Sequence, residues 1–405
     1  MLAHACKHGY TTLQYVLVYG CRMLDADGND QGGTEQPDMS RDIALRVYEA
    51  MAKTQIMDDI CYQSQRQGRF SFYLTSAGEE AATVGSAAAL ASTDEVFAQY
   101  REQGVLMYRG FSFQKFADQL YGNMFESGKG RQMPIHYGSS DLHFQTISSP
   151  LATQMLHACG AAYALKMEQS TSISACYFGE GAASEGDAAA ALNFAAVLGV
   201  PCLFICRNNG YAISTPIHEQ YKGDGVCARA FANGMIAIRV DGGDARAVYH
   251  ACSYAREKAI EGCQPILVEC LSYRSGHHST SDDSSRYRSN FEALSYPCPV
   301  RRFGHWIQSK GWWSDEEEEA LRKHTRKQIS QALSEAASQP KPDLSNLFTD
   351  VYAQVTPNLQ EQMAETLQFV AKHPGMVPPG VPINPPFLRG MDDSQLVNWS
   401  NGDQD

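Results

Sequence analysis

The sequence has no surplus of positive charge. Its 33 lysines and arginines are outnumbered by 45 acids, for a net charge of −12. The clustered cations of a nucleic-acid groove are missing, so nucleic acid is excluded as a partner. A bound phosphate group must be met locally, by a few arginines and backbone amides. There is no long apolar run either. The most apolar stretch, FAAVLGVPCLFIC (194–206), is interrupted by Gly199 and Pro201. It is too short to span a bilayer, and no membrane partner is expected. The 12 cysteines follow no framework spacing. Cys159, Cys176, Cys202 and Cys206 sit in apolar segments, where cysteine acts as a small hydrophobe. That pattern suits a reducing, intracellular compartment. Residues 1–24 lack acids but carry only Lys7 and Arg22 as fixed cations, a thin signal for an organelle leader.

What is present is an ordinary globular balance, 43% apolar and 19% charged over 405 residues. That is enough for one large α/β domain with extensions, or for two domains. DADGNDQGGTEQPD (25–38) reads as a loop closing an N-terminal extension, residues 1–39. Ile43, Val47, Met51 and Ile56 behind Ser40 have helical spacing and predict a helix over 40–66; 79–91 and 112–126 predict two more. Helices are expected again at 151–167, 184–198 and 244–261, alternating with short apolar strands at 173–178, 202–207, 235–240 and 265–271. Repeated βαβ units predict a parallel sheet with helices on both faces, in a domain over residues 40–300. Residues 301–405 form a separate C-terminal region. It opens with a charged helical stretch (301–337) in which DEEEE behind Ser314 reads as a solvated helix start. A proline-rich segment (374–389) and a frayed end follow.

FGEGAASEGD (178–187) sets Glu180, Glu185 and Asp187 among glycines. In open parallel sheets, ligands bind outside the carboxyl ends of the strands, and Gly179-Glu180-Gly181 falls at such an end. The next strand ends at Asn208-Asn209. Neighbouring strands lie about 4.8 Å apart, close enough for Glu180 and Asn209 to share one hard cation. Mg²⁺ takes oxygen ligands at about 2.1 Å, commonly completed by phosphate. SEGD reads differently, as a helix start: Ser184 is an N-cap with Asp187 in a capping box, and Glu185 favours the same helix end. Alone, GEG is a tight turn; the paired asparagines make it a candidate metal site.

A Gly-Asp-Gly opening and a double-asparagine close form the metal–diphosphate motif of thiamine-diphosphate proteins. This chain resembles it with Glu180 for the aspartate, the same oxygen contact with one more methylene of reach. YFGEGAASEGD and CRNNGYAIST carry a wider likeness. So do SQRQGRFSFY (64–73), AQYREQGVLMYRG (98–110), GKGRQMPIHYG (128–138), TISSPLATQ (146–154) and YRSGHHSTSDDSSRYRS (273–289). Together, in order from about residue 40 to 290, they resemble the alpha subunits of branched-chain 2-oxo acid dehydrogenases, the decarboxylating component of that complex. The C-terminal region agrees more loosely and the first 24 residues hardly at all.

The resemblance implies a thiamine-diphosphate-binding α/β fold with a helical C-terminal extension. It places Mg²⁺ on Glu180, Asn209 and the Tyr211 carbonyl, and the diphosphate on Tyr100, Arg101, Arg207 and His278, with backbone help at Gly181 and Ala182. It places K⁺ on Ser148, Pro150, Thr153 and Gln154, with Ser149 on the cofactor and Leu151 propping its two rings. Phe72 and Gln99 fall near the substrate side chain. His278 is the implied catalytic residue, near the reacting carbon. Ser279 and Ser289 match serines phosphorylated in the animal enzymes, and a phosphate at Ser279 adds nearly two negative charges beside that histidine. Read without the resemblance, these residues have plainer roles. Arg101 is a surface ion pair, Pro150 sits in a capped first turn, and Phe70, Phe72 and Tyr73 are core aromatics. His277 and His278, adjacent in a loop, point apart rather than share a metal.

The implied reaction is oxidative decarboxylation of branched-chain 2-oxo acids, with acyl transfer to the lipoyl arm of an acyltransferase core. The carboxylate that activates the cofactor's pyrimidine end belongs in that family to the beta subunit, so an α₂β₂ assembly is expected, and a regulatory kinase and phosphatase with it. The mitochondrial matrix is the expected site, with a bacterial cytoplasm as the alternative. Three rivals stand: the alpha subunit of pyruvate dehydrogenase, a non-catalytic scaffold that kept the fold, and a Mg²⁺-dependent phosphohydrolase. The last needs a nucleophile or base beside the GEG turn, and the sequence offers none.

Overall fold

The computed structural model of the chain describes residues 17–31 and 39–382. These residues form two compact units. One holds the described residues up to Ser112 together with Ile135–Ser330; the other holds Phe113–Pro134 together with the described residues from Gln331 onward.

The first unit is built on seven parallel strands: β1 (Leu17–Cys21), β2 (Glu95–Phe97), β3 (Phe144–Gln145), β4 (Ser174–Gly179), β5 (Cys202–Asn208), β6 (Ile236–Asp241) and β7 (Ile266–Leu271). Their order in the sheet is β1-β6-β7-β5-β4-β2-β3, and every neighbouring pair is parallel. All seven residues of β5 are buried, as in a sheet covered on both faces. Helices α1 (Arg41–Arg66), α2 (Glu80–Ala89), α3 (Thr153–Met167), α4 (Gly186–Leu198) and α5 (Ala245–Gly262) supply the cover. Ala158, Ala162, Ala188 and Ala191 let α3 and α4 lie close over Cys176 and Phe204 on one face. On the other face, the Tyr177 hydroxyl lies 2.9 Å from that of Ser86 on α2. Ser40 caps α1 through the Ile43 amide, as its position predicts.

The expected βαβ alternation stands, with each of the four predicted strands found within a residue or two. The structure departs from expectation at several ends. β1, β2 and β3 are additional strands, and β2 and β3 are too short to show a period. Helix 112–126 stops at Tyr121, where Gly122 turns to a φ of 54°. The 301–337 stretch is two helices, Pro299–Ser309 and Asp315–Ser338, separated at Gly311, whose φ is 68°. Ser314 and Glu317 cap the second reciprocally, each backbone amide donating to the other's side chain. Glu318 is no solvated acid, since it accepts from Tyr48 and Trp313. The frayed end and residues 32–38 of the predicted loop lie outside the described residues.

In the second unit, helix Phe113–Tyr121 leads into a loop held by Glu126, whose carboxylate accepts from the amides of Gly128 and Gly130, both at 2.7 Å. Asn123 donates to Asp118 and to the Ala336 carbonyl, and Lys129 pairs with Asp350. Among the described residues no helix is long and apolar enough to cross a membrane.

Candidate functional site

Four strand ends converge at the carboxyl edge of the sheet. Gly179 of β4 lies in register with Arg207 of β5, and Arg207 with Cys270 of β7. The chain leaving β2 carries Gln99, Tyr100 and Arg101, and the turn before α2 brings Glu79. Gln99 ties β2 to β4, its side-chain oxygen accepting from the Gly179 amide at 2.9 Å. A cavity of about 1050 Å³ lies beside these ends, with Glu80, Asn209, Tyr211 and Tyr273 in its wall.

Glu180 follows β4 and is 2% exposed. Burial pushes its carboxyl up to about 7, against the backbone amides that favour the anion, while Glu79 nearby pushes it further and Arg207 opposes. The Asn209 backbone N–H donates to Glu180 Oε2 at 3.1 Å, so the two strand ends are joined directly. Asn209 Nδ2 donates to Glu79 Oε1 at 3.1 Å, and Asn209 Oδ1 accepts from the Tyr211 amide at 3.2 Å. Asn208 points elsewhere, donating to the buried Glu269 at 2.8 Å. Gly181 is required where it stands: a Cβ there would come within 2.9 Å of Ala212 Cβ.

Two buried arginines flank this pair. Arg207 is gripped by Glu102 and, at 3.2 Å, by Glu79. Burial opposes its charge, but these two acids more than offset it and hold it above the usual arginine range. Arg101 donates to the Thr75 carbonyl, the His278 carbonyl and His278 Nδ1. It is 2% exposed rather than a surface ion pair, and burial lowers its basicity. His278 also has Arg274 at 3.4 Å from Nδ1, and its backbone amide donates to Asp282. Burial, then Arg101 and Arg274, drive its imidazole down to about 3. With Nδ1 accepting, the proton of the neutral ring sits on Nε2. The Tyr100 ring stands edge-on to it, 6.2 Å between centroids.

The dehydrogenase E1 component family pattern matches residues 48–345 of the chain. The 2-oxoisovalerate dehydrogenase subunit alpha, mitochondrial, of Homo sapiens is 51% identical over 87% of this chain and 80% of its own length. Subunit alpha 1 of Arabidopsis thaliana is 50% identical over 89% of this chain and 77% of its own. The Dictyostelium discoideum protein of the same name is 47% identical over 93% and 84%. The chain belongs to the dehydrogenase E1 component family.

In this E1 chain the loop before α3 gathers a second set of oxygens. Thr153 Oγ1 lies 3.1 Å from the Pro150 carbonyl and 3.4 Å from Ser148 Oγ. Gln154 donates to the Tyr177 carbonyl, while its Oε1 is buried and makes no hydrogen bond. Ser149 bonds His136, and Leu151 is half-buried against the core. Pro150 is not in the first turn: α3 starts at Thr153, after Ala152 takes a φ of 66°. Phe72 is half-buried, while Phe70 and Tyr73 are core aromatics. His277 bonds Ser284 and His278 bonds Arg101, so the two rings have separate partners. Ser279 is buried and its Oγ accepts from the Ser281 amide; Ser289 caps helix Asn290–Ser295 through the Glu292 amide.

Ser184 does not cap α4. A single 3₁₀ turn, Ala182–Ser184, intervenes, and Glu185 is the N-cap, without a side-chain bond. The Ser184 hydroxyl lies 3.4 Å from Gln220 instead. Asp187 does fall in the first turn of α4. Four contributors to this E1 site escape the sequence reading: Glu79, Glu102, Arg274 and Asp282. Glu102 stands within the YRE stretch, and Glu79 heads an alanine-rich helix where an acid reads as dipole compensation. Only the fold shows that both acids face Arg207.

Proposed function

We propose that the chain is the alpha subunit of a branched-chain 2-oxo acid dehydrogenase. It acts with a beta subunit in decarboxylating 3-methyl-2-oxobutanoate and its relatives and in passing the acyl group to a lipoyl arm. The observation that carries this reading is the joining of Glu180 and Asn209 at adjacent strand ends, between Arg101 and Arg207. The names and identity levels of the relatives favour branched-chain substrates over pyruvate, and those relatives are mitochondrial, which supports the matrix.

Thiamine diphosphate supplies, when bound, the carbanion-stabilising chemistry of decarboxylation. The residues present fit it and its metal. A buried carboxyl raised to about 7 lacks a nearby cation sufficient to hold its charge, and a divalent ion would supply one. Glu180, Asn209 and the Tyr211 carbonyl would hold Mg²⁺. Tyr100, Arg101, Arg207 and His278, with the amides at Gly181 and Ala182, would hold the diphosphate. Gln154 Oε1, buried without a hydrogen bond, supports the K⁺ site with Ser148, Pro150 and Thr153. Ser149 and Leu151 would face the cofactor, and Phe72 and Gln99 the substrate side chain. A neutral His278 with its proton on Nε2 can donate a hydrogen bond to an anionic oxygen. Ser279 and Ser289 would be targets of a regulatory kinase and phosphatase, and an acyltransferase core the acceptor of the product.

The test is thermal. In the α–β assembly, thiamine diphosphate with Mg²⁺ raises the melting temperature of the wild type and leaves a Glu180→Ala variant unmoved. Equal stabilisation of both removes Glu180 from the metal site.

A further inference from the structure

Glu79 is fully buried at the N-terminus of α2, held by its backbone bonds to Ser76 and Thr83. One oxygen, Oε1, accepts from both Arg207 at 3.2 Å and Asn209 Nδ2 at 3.1 Å. The other makes no hydrogen bond and lies 3.9 Å from Arg101 Nε. A buried carboxylate oxygen left without a hydrogen bond costs stability, so packing alone does not explain this acid.

We propose that Glu79 is a positioning residue that fixes the Asn209 amide with its oxygen toward the metal. The inference rests on the reading of Glu180 and Asn209 as Mg²⁺ ligands. An ionised carboxylate only accepts hydrogen bonds, so the end of the Asn209 amide that meets it must be the NH₂. The carbonyl oxygen is thereby turned the other way, where it accepts from the Tyr211 amide. An amide oxygen carries two lone pairs, and one remains for a cation. With the amide reversed, the NH₂ would face the metal and the oxygen would face Glu79, and both contacts repel. Glu79 also adds a fixed negative charge behind the site, which favours a divalent ion. Because the same oxygen grips Arg207, one acid sets the geometry of a metal ligand and of a phosphate-facing arginine together.

The experiment titrates Mg²⁺ against the stabilisation of the α–β assembly by saturating thiamine diphosphate. Glu79→Gln is expected to raise the half-saturating Mg²⁺ about tenfold, the scale of losing a group that orients a ligand. The melting temperature without cofactor should fall somewhat, since Arg207 then keeps only Glu102 as its acid, so the Mg²⁺ requirement and not the melting temperature is the readout. The double variant Glu79→Gln/Asn209→Asp exchanges donor and acceptor, the glutamine amide donating to the aspartate. It should return the Mg²⁺ requirement to within a few-fold of wild type, roughly the size of residual errors in such cycles. If Glu79→Gln does not assemble, Glu79→Asp replaces it: the charge stays, the oxygen withdraws, and the Mg²⁺ requirement still rises. Variants that melt earlier but keep the wild-type Mg²⁺ requirement overturn the proposal, as does a double variant no better than the single one. A wild type stabilised equally with and without Mg²⁺ overturns the metal reading beneath it, before any variant is made.

Discussion

His278 Nδ1 accepts from the Arg101 guanidinium at 3.1 Å, and burial, reinforced by this arginine, holds the histidine neutral. The pair turns a loop residue into a fixed part of the strand-end site. It also sets a pH dependence with a definite sign. The folded imidazole lies at about 3, below its ordinary 6.5, and the unfolded chain takes up the proton first. Stability from this group is complete above about pH 6.5 and is lost as the pH falls toward 3. His278→Gln, which keeps an acceptor for Arg101, should lose less melting temperature than wild type between about pH 6.5 and 5. Parallel melting curves over that range check it.

Glu180 titrates with the opposite sign. Its carboxyl is raised from 4.5 to about 7, so in the metal-free protein ionisation costs stability progressively as the pH rises through 4.5 to 7. Mg²⁺ needs the anion. Its binding should release close to one proton at about pH 6 and much less at about pH 8. Calorimetry in two buffers of different ionisation enthalpy measures this. Equal heats in both buffers at the lower pH contradict the assignment, and Glu180→Gln should abolish the release.

These acids show what a sequence carries and what it does not. Glu180 and Asn209 were legible because each sits where an apolar strand stops, and strand ends in a parallel sheet are where ligands collect. Glu79 was not, because its partners Arg207 and Asn209 lie 128 and 130 residues away along the chain, and nothing local to GEE points at them. β2 and β3, with three and two residues, are too short for an alternating pattern to emerge. The Ser184 cap failed for a local reason: one 3₁₀ turn takes up Ser184 and moves the N-cap one residue on, to Glu185, and capping rules do not foresee that offset.

Gln154 should confer potassium dependence. Replacing Na⁺ by K⁺ is expected to raise the melting temperature of the wild-type assembly by a few degrees, about 1 kcal/mol at this size. Gln154→Leu, which removes the buried oxygen, should show no difference between the two salts. A variant that still responds to K⁺ excludes that oxygen as a ligand.

Ser279 is 7% exposed, and the next residue, Thr280, exchanges hydrogen bonds with Tyr73. A phosphate cannot fit at the buried Ser279 without parting those two loop segments. Ser279→Glu should expose the buried Arg288 to trypsin and lower acyl transfer at least about tenfold, by repulsion and desolvation at a buried loop. Digestion at the wild-type rate would show that the loop tolerates the charge.

The most direct test is reconstitution of the chain with its beta subunit and a lipoyl-bearing acyltransferase, followed by CO₂ release from 3-methyl-2-oxobutanoate and from pyruvate. Release that needs both chains, thiamine diphosphate and Mg²⁺, and that strongly favours the branched substrate, is the predicted result. Release by this chain alone, or a preference for pyruvate, would contradict it.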